Sequence, residues 1–285
     1  GYSPCYEVPN VKTTFHKGEF GLLKDWAPKN SDGNNNGCKV SLKYALANSM
    51  NTTTAWVMKQ FGPQAVMDQA RAMGIKNKLD PVPSLCLGVA DLSVYEMVGA
   101  NATFANKGVY IKPITIMRVE DRNGNVIIDV EMDTKEAMTE EVAYTMVSLM
   151  KNVVTGTSNP HAPGKHYGTA GRLRGSGPYG KIKHPMAGKT GTTQNSSDGW
   201  FMGLTPELVT GVWSGADDRG IHFKGSQWGQ GARMAMPIYG YYMQQVYADK
   251  KLKISTKDFE MPKGFDKSVL NCTKSDALDG SGLGL

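Results

Sequence analysis

Long apolar runs and metal-binding spacings are both missing from this sequence. No stretch of about 18 apolar residues occurs, so no segment is predicted to span a membrane and we expect the chain itself to be soluble. The four cysteines form no Cys-x-x-Cys pair and the five histidines form no His-x-x-His, so we expect no metal and no other cofactor. The scattered cysteines leave the redox compartment and the disulfide state open.

Charge of one sign is also not concentrated anywhere. The net charge of +6 comes from 32 Lys and Arg against 26 Asp and Glu, without the basic run that is typical of nucleic-acid binding. We therefore expect no nucleic-acid partner. The 285 residues, of which 40% are hydrophobic and 20% charged, are enough for one large globular domain or two small ones.

Caps and turn residues predict helices first, then strands, then a closing helix. The predicted helices cover about 41–48, 52–61, 63–74, 94–107, 139–154 and 234–247. The predicted strands cover 109–119, 126–128, 186–192, 199–204 and 208–214. This order, with the last three strands as an antiparallel meander, indicates an α+β fold.

Lys189-Thr190-Gly191-Thr192 lies on one of these predicted strands and combines a cation, two hydroxyls and a residue without a side chain. An ammonium and hydroxyls donate well to a carboxylate, and glycine lets a ligand backbone approach closely. The stretch therefore predicts a strand that receives an anionic peptide. A second polar stretch, Ser49-Met50-Asn51, lies between two predicted helices and 140 residues before Lys189.

These two stretches match the Ser-x-Asn and Lys-Thr-Gly motifs of penicillin-recognising serine enzymes, in the family's order. With segments 45–52, 84–88, 102–108 and 198–203, the chain resembles penicillin-binding protein transpeptidase domains over roughly residues 20–245, most closely those of bifunctional class A proteins. The resemblance implies an antiparallel sheet flanked by helices, incomplete at its N-terminus. We expect a partial transpeptidase domain over 1–250 and a C-terminal tail over 251–285.

The family's nucleophile motif, Ser-x-x-Lys, does not precede Ser49. The sequence holds one such motif, Ser148 to Lys151, which follows Ser49 instead. It lies on the predicted helix 139–154. Ser148 belongs to a polar stripe of that helix, and this stripe is predicted to face solvent. The apolar face of that helix is predicted to comprise Val142, Met146, Leu149, Met150 and Val153. We expect that the chain begins just after its own nucleophile and is inactive alone.

The resemblance implies acyl transfer from a D-Ala-D-Ala stem peptide, which penicillins mimic. Ser49 would relay a proton to the leaving nitrogen, and Lys189 would set the field around Ser49. Asn51 would bind the acyl-side amide of the substrate. Thr190 and Thr192 would bind its terminal carboxylate, Thr192 N–H would donate to the oxyanion, and Gly191 would admit the ligand. The resemblance also implies a membrane-anchored parent at the periplasmic face of the inner membrane, with an upstream glycosyltransferase domain.

Other interpretations stay open. Each site residue has an ordinary alternative: Ser49 could cap a helix, Asn51 could close a turn, and the threonines could reflect β-propensity. The chain could also be a non-catalytic module that binds peptide or β-lactam, since the nucleophile motif is missing. A DD-carboxypeptidase or β-lactamase of the same superfamily is a further alternative, although the Glu-x-x-Leu-Asn pattern of one β-lactamase class does not occur.

Overall fold

The computed structural model describes residues 2–33, 36–159, 161, 168–225 and 227–272. Within them the helices are α1 (Leu42–Ala47), α2 (Asn51–Ala72), α3 (Val94–Ala105), α4 (Glu140–Thr155) and α5 (Gly231–Ala248). The strands are β1 (Glu7–Pro9), β2 (Lys39–Ser41), β3 (Val109–Ile111), β4 (Arg118–Glu120), β5 (Val126–Asp129), β6 (Thr134–Glu136), β7 (Ala187–Thr192), β8 (Asp198–Leu204) and β9 (Val209–Gly215). None of the described helices is both long and apolar enough to cross a bilayer.

The largest sheet is a three-stranded antiparallel meander in the order β7-β8-β9, as predicted. Its register places Lys189 opposite Met202 and Gly191 opposite Trp200, and β7 forms one edge. Gly203 in β8 faces Tyr239 of α5, where a Cβ atom would lie only 2.3 Å from the ring. Glycine there lets α5 lie directly against the sheet.

Helices cover both faces of this sheet. On one face, Phe201 packs with Met236, Tyr239 and Met243 of α5, and all four side chains are almost completely buried. On the other face, Val147 and Met150 of α4 pack against buried side chains of the sheet, Ala187 and Leu204. The α+β class and the arrangement of a sheet flanked by helices are thereby confirmed.

Most helix boundaries follow the predicted signals. The Ser41 hydroxyl caps α1, and Ser93 and Glu96 form the expected capping box of α3. Gly62 interrupts α2 with φ 76°, so this element consists of two helical runs separated at the predicted Gly62-Pro63 break. The closing helix α5 begins at Gly231, three residues before the predicted start.

The predicted strand over 109–119 is wrong, because the region forms two short strands in different sheets. β3 pairs with β6, a strand that was not predicted, and β4 pairs with β5 across the predicted Asn123-Gly124 turn. Pro113 lies between β3 and β4, and its missing N–H prevents a continuous ladder. The α3 helix also ends at Ala105, slightly earlier than expected.

The predicted apolar face of α4 is rotated from the real one. Met150 and Val153 are buried as predicted, but Val142 is 50% exposed, and Ala143, Val147 and Val154 are buried instead. The side chain of Val147 belongs to the core but was left out of the predicted face. The predicted face is therefore correct in period and at Met150 and Val153, and the real face is rotated towards Ala143 and Val147.

The segment after α5 lies on the body of the protein. Phe259 packs on the core below α4, Phe265 makes an edge contact with Tyr144 at 5.0 Å, and a disulfide joins Cys5 to Cys272. The expected tail is therefore attached up to residue 272, while 273–285 lie outside the described residues. The division into a domain over 1–250 and a tail over 251–285 stays a prediction.

Candidate active site

Ser49 and Lys189 meet in the structure although 140 residues separate them. The Lys189 Nζ atom donates to Ser49 Oγ at 2.7 Å and to the Thr190 carbonyl oxygen at 2.7 Å. Lys189 extends from the middle of the edge strand β7, and Ser49 lies in the short link between α1 and α2. The two sequence motifs therefore form two facing walls.

The Ser49 backbone has a conformation that serine rarely adopts. Its φ of 54° lies in the left-handed region, which costs a residue with a side chain about 1 kcal/mol. Non-glycine residues held in this region occur preferentially at functional sites, where the surrounding structure enforces them. Met50, not Ser49, is the N-cap residue of α2, so the interpretation of Ser49 as a helix cap is wrong.

Burial changes the acid–base properties of Lys189. The side chain is half-buried, and desolvation of its ammonium lowers the pKa to about 8 from the ordinary 10.5. At neutral pH the amine is still mostly protonated and can attract an anion. A modest rise in pH releases the proton, so this lysine is suited both to electrostatic binding and to proton transfer.

The two threonines of β7 are held by residues that the sequence analysis missed. Thr190 Oγ1 donates to Thr169 Oγ1 at 2.9 Å, and Thr192 Oγ1 accepts from the backbone N–H of Gly231 at 2.9 Å. Thr169 N–H also donates to the Ala47 carbonyl, which ties the Ser49 wall to the β7 wall. No sequence signal distinguished Thr169, because it lies in a long Gly- and Pro-rich loop.

Gly231 is the first residue of α5, so Thr192 lies at the N-terminus of an 18-residue helix. The aligned peptide dipoles of the helix give this end a partial positive charge. Together with the Lys189 ammonium and the two threonine hydroxyls, this arrangement provides several donors for a carboxylate. The exposed side chain of Thr192 makes this end of β7 accessible.

Asn51 lies on the same wall as Ser49, but its side chain is not part of the contact between Ser49 and Lys189. Its Nδ2 atom donates to the Lys29 carbonyl oxygen at 2.8 Å, 22 residues earlier in the chain. This is a long-range contact, so the interpretation as a local turn bond is wrong. The contact fixes the side-chain amide at the first residue of α2, next to Ser49 and Met50.

The misplaced Ser-x-x-Lys motif does not join this site. Lys151 Nζ pairs with Asp258 Oδ2 at 2.6 Å, which links α4 to the segment after α5. Ser148 is half-buried on α4, and its carbonyl accepts from Asn152 within the same helix. The motif is therefore part of a helix surface, although Ser148 and Lys151 are half-buried there and not fully solvated as predicted.

Comparison with known proteins gives a consistent result. Residues 9–214 match the penicillin binding protein transpeptidase domain family. The chain is 32% identical over 258 residues to penicillin-binding protein 1A of Aquifex aeolicus, covering 90% of this chain and 31% of that protein. It is 31% identical over 226 residues to penicillin-binding protein 1B of Haemophilus influenzae, covering 79% of this chain and 26% of that protein.

Solved structures show the same fold. Penicillin-Binding Protein 1A from Haemophilus influenzae superposes with a TM-score of 0.78 at 23% identity, covering 92% of this chain and 41% of that one. The PonA1 protein from Mycobacterium tuberculosis, solved in complex with penicillin V, gives a TM-score of 0.71 at 24% identity, covering 92% of this chain and 67% of that one. The matched family model and the fold agree with the motif geometry, and the chain belongs to the penicillin-binding protein transpeptidase domain family.

Proposed function

We propose that this chain carries the substrate-binding walls of a peptidoglycan DD-transpeptidase, which acts on D-Ala-D-Ala stem peptides and binds penicillin. The observation that carries the proposal is the 2.7 Å contact between Lys189 Nζ and Ser49 Oγ beside β7, the edge strand of the described sheet. A peptide can add to this edge through backbone hydrogen bonds. Gly191 leaves room for its backbone.

Each site residue has a role in this proposal. Ser49 relays a proton to the leaving nitrogen, and Lys189 sets the field around Ser49 through its charge. Thr190 and Thr192 bind the terminal carboxylate, and the Thr192 N–H donates to the oxyanion. Asn51 binds the acyl-side amide after its side chain leaves the Lys29 carbonyl.

The attacking serine comes from a Ser-x-x-Lys segment that these 285 residues do not contain upstream of Ser49. The chain spans less than a third of the length of the two penicillin-binding protein relatives described above. In the parent protein, we propose a membrane anchor, an upstream glycosyltransferase domain and a location on the periplasmic face. The cross-linking reaction would then belong to the parent and not to this chain alone.

A peptide titration followed by NMR tests the proposal on the chain as it is. A peptide that ends in D-Ala-D-Ala should shift the backbone amide signals from Lys189 to Thr192, and Thr190→Val should weaken the binding. The same peptide with an amidated C-terminus should bind more weakly, because the carboxylate is lost. Equal shifts with the amidated peptide, or shifts confined to other regions, would contradict the proposal.

Intact-mass spectrometry with benzylpenicillin provides a second measurement. We expect no covalent adduct, because the one Ser-x-x-Lys motif lies on α4 and its lysine pairs with Asp258. Ser148→Ala is the matched variant. An adduct that disappears in Ser148→Ala would show that the motif on α4 is the nucleophile and would overturn the assignment of the site.

A second candidate is a non-catalytic module that binds peptide or β-lactam, a function that the edge strand β7 and the Lys189 ammonium would also suit. The two candidates differ once an upstream segment with a Ser-x-x-Lys motif is joined to the chain. Acylation of that serine by benzylpenicillin supports the transpeptidase. Reversible binding without acylation supports the binding module, and rapid release of hydrolysed β-lactam supports a hydrolase of the same superfamily.

A further inference from the structure

The α2 helix begins without a side-chain cap from the residue at its N-cap position. Met50 occupies the N-cap position and supplies no side-chain hydrogen bond. The first N–H groups of a helix have no partner within the helix and need one from elsewhere. Here Asn30 supplies it: Asn30 Oδ1 accepts from the backbone N–H of Thr52, the second helical residue, at 3.1 Å.

This contact belongs to a buried polar network. Asn30 Nδ2 donates to Asn10 Oδ1 at 2.9 Å. The Thr52 hydroxyl lies within hydrogen-bond distance of Asn10 Oδ1, at 2.9 Å, and of Asn30 Oδ1, at 3.1 Å. All three residues are at most 7% exposed, so the loss of one partner leaves buried polar groups unsatisfied.

The contacts at the start of α2 also include Lys29, the residue before Asn30. The Lys29 carbonyl, next to Asn30, accepts the side-chain amide of Asn51 at 2.8 Å. Residues 29 and 30 therefore hold both Asn51 and Thr52, the first two residues of α2. Asn10 is fixed in turn by its backbone N–H, which donates to the Cys38 carbonyl at 2.9 Å.

Serine and asparagine are among the most favoured helix caps, yet neither Ser49 nor Asn51 caps α2. If Ser49 capped the helix, one acceptor lone pair of its hydroxyl would be taken by a backbone N–H of α2, and the helix would set the orientation of the side chain. The Asn30 side chain performs the capping from 22 residues away. The Ser49 hydroxyl is then not needed as a helix cap and remains available to Lys189. The Ser49 backbone is held at φ 54° in this arrangement.

We propose that Asn30 is a positioning residue, a remote cap of α2 that holds Ser49 opposite Lys189 and leaves its hydroxyl free for chemistry. Asn10 and Thr52 support it by holding its side-chain amide in one orientation. The functional meaning of this role rests on the proposed transpeptidase site. The positioning itself is a property of this chain and can be measured without ligand or turnover.

The test compares four variants of the full chain. Asn30→Ala removes the remote cap, Thr52→Val removes the hydroxyl but keeps the N–H, and Thr52→Ser keeps both. Ser93→Ala is the matched control, because it removes the conventional cap of α3, which accepts from Glu96 N–H at 3.2 Å. NMR provides two readouts, the amide exchange rate of Thr52 and the titration of Lys189 through its Cε signal.

We expect the Thr52 amide to exchange at least tenfold faster in Asn30→Ala, and the Lys189 pKa to rise by about one unit as water reaches the amine. Thr52→Val should produce a smaller change in the same direction. Thr52→Ser should retain the wild-type Lys189 titration, and Ser93→Ala should lose stability without altering it. If Asn30→Ala does not fold, Thr52→Val against Thr52→Ser decides the question.

An unchanged Lys189 titration in Asn30→Ala, or in Thr52→Val where Asn30→Ala does not fold, would overturn the proposal. The network would then stabilise the fold without positioning the site. This failure differs from failure of the proposed function, in which the wild-type chain would not respond to the D-Ala-D-Ala peptide.

Discussion

Two serine–lysine pairs in this protein show opposite relations between sequence and structure. Ser148 and Lys151 have the spacing of a nucleophile motif, but Lys151 pairs with Asp258 on the surface. Ser49 and Lys189 lie 140 residues apart, yet their side chains are in direct contact at 2.7 Å. The spacing identifies chemistry only where the fold also brings the side chains together.

The surroundings of the two lysines explain the difference. Lys151 has a carboxylate partner at 2.6 Å, which satisfies its charge near the surface. Lys189 is hydrogen-bonded to a hydroxyl and a carbonyl, and its pKa is lowered because burial removes water from the ammonium. Among the residues that the structure describes, Lys189 has no carboxylate partner, and a lysine desolvated in this way can exchange its proton near neutral pH.

The largest expected effect comes from the pH dependence of stability. Below about pH 8, Lys189 is charged in both states and the folded protein bears the full cost of desolvation. Between pH 8 and 10.5 the folded state releases the proton before the unfolded state does, so stability rises with pH. The free energy of unfolding of the wild type relative to Lys189→Met should rise by up to about 3 kcal/mol over this window.

Chemical denaturation at several pH values measures this difference, and subtraction of Lys189→Met removes the contribution of other titrating groups. Lys151→Met is the matched control: it keeps Lys189, so its free energy of unfolding should retain the rise between pH 8 and 10.5 that Lys189→Met loses. Equal pH profiles for the two lysine variants would remove the distinction between the desolvated amine of Lys189 and the ion-paired amine of Lys151.

An intermediate effect should come from backbone conformation at the two serines. At Ser49, with φ 54°, glycine should be more stable than alanine by about 1 kcal/mol. At Ser148, inside α4, alanine should be more stable than glycine by about 1 kcal/mol. Both alanine and glycine lack the serine hydroxyl, so the difference in stability between the two variants at each site does not include its loss.

Thermal or urea unfolding of the four variants gives both differences. Opposite signs at the two positions would confirm that Ser49, unlike Ser148, is held in a left-handed conformation. The same sign at both would mean that the link between α1 and α2 relaxes when the serine is replaced, and that Ser49 is not held under strain.

Local signals account for the parts of the fold that were predicted. The Ser93–Glu96 box and the Gly62-Pro63 break act within one turn of chain, and the structure has both as expected. The β3–β6 pair was missed because its two short strands are joined across the β4–β5 hairpin and have little pattern of their own. The phase of α4 depends on what packs against it, which a single sequence does not contain.

The candidate site likewise contains some residues that could be predicted from the sequence and others that could not. Motif order identified Ser49 and Lys189, and the structure brings them together. Thr169 and Asn30 could not be identified, because each acts through contacts with residues more than 20 positions away. Asparagine and threonine in loops are common, so composition around these two positions carried no signal. The assigned roles of the site residues stay predictions.

The smallest expected effect concerns the surface pair. Asp258→Asn removes the charge that Lys151 contacts, and the pair is partly exposed, with 29% of the lysine side chain and 53% of the aspartate side chain accessible. Exposed pairs contribute about 0.5 kcal/mol, and salt screens them. The loss of unfolding free energy in Asp258→Asn should therefore be small at low ionic strength and should vanish in about 1 M salt.

Lys189→Met should keep its pH-dependent effect in the same salt, since a desolvation cost is not screened. A loss above about 2 kcal/mol in Asp258→Asn that persists in salt would show that Lys151 is a buried structural charge, and the contrast between the two lysines would then rest on their partners and not on their exposure.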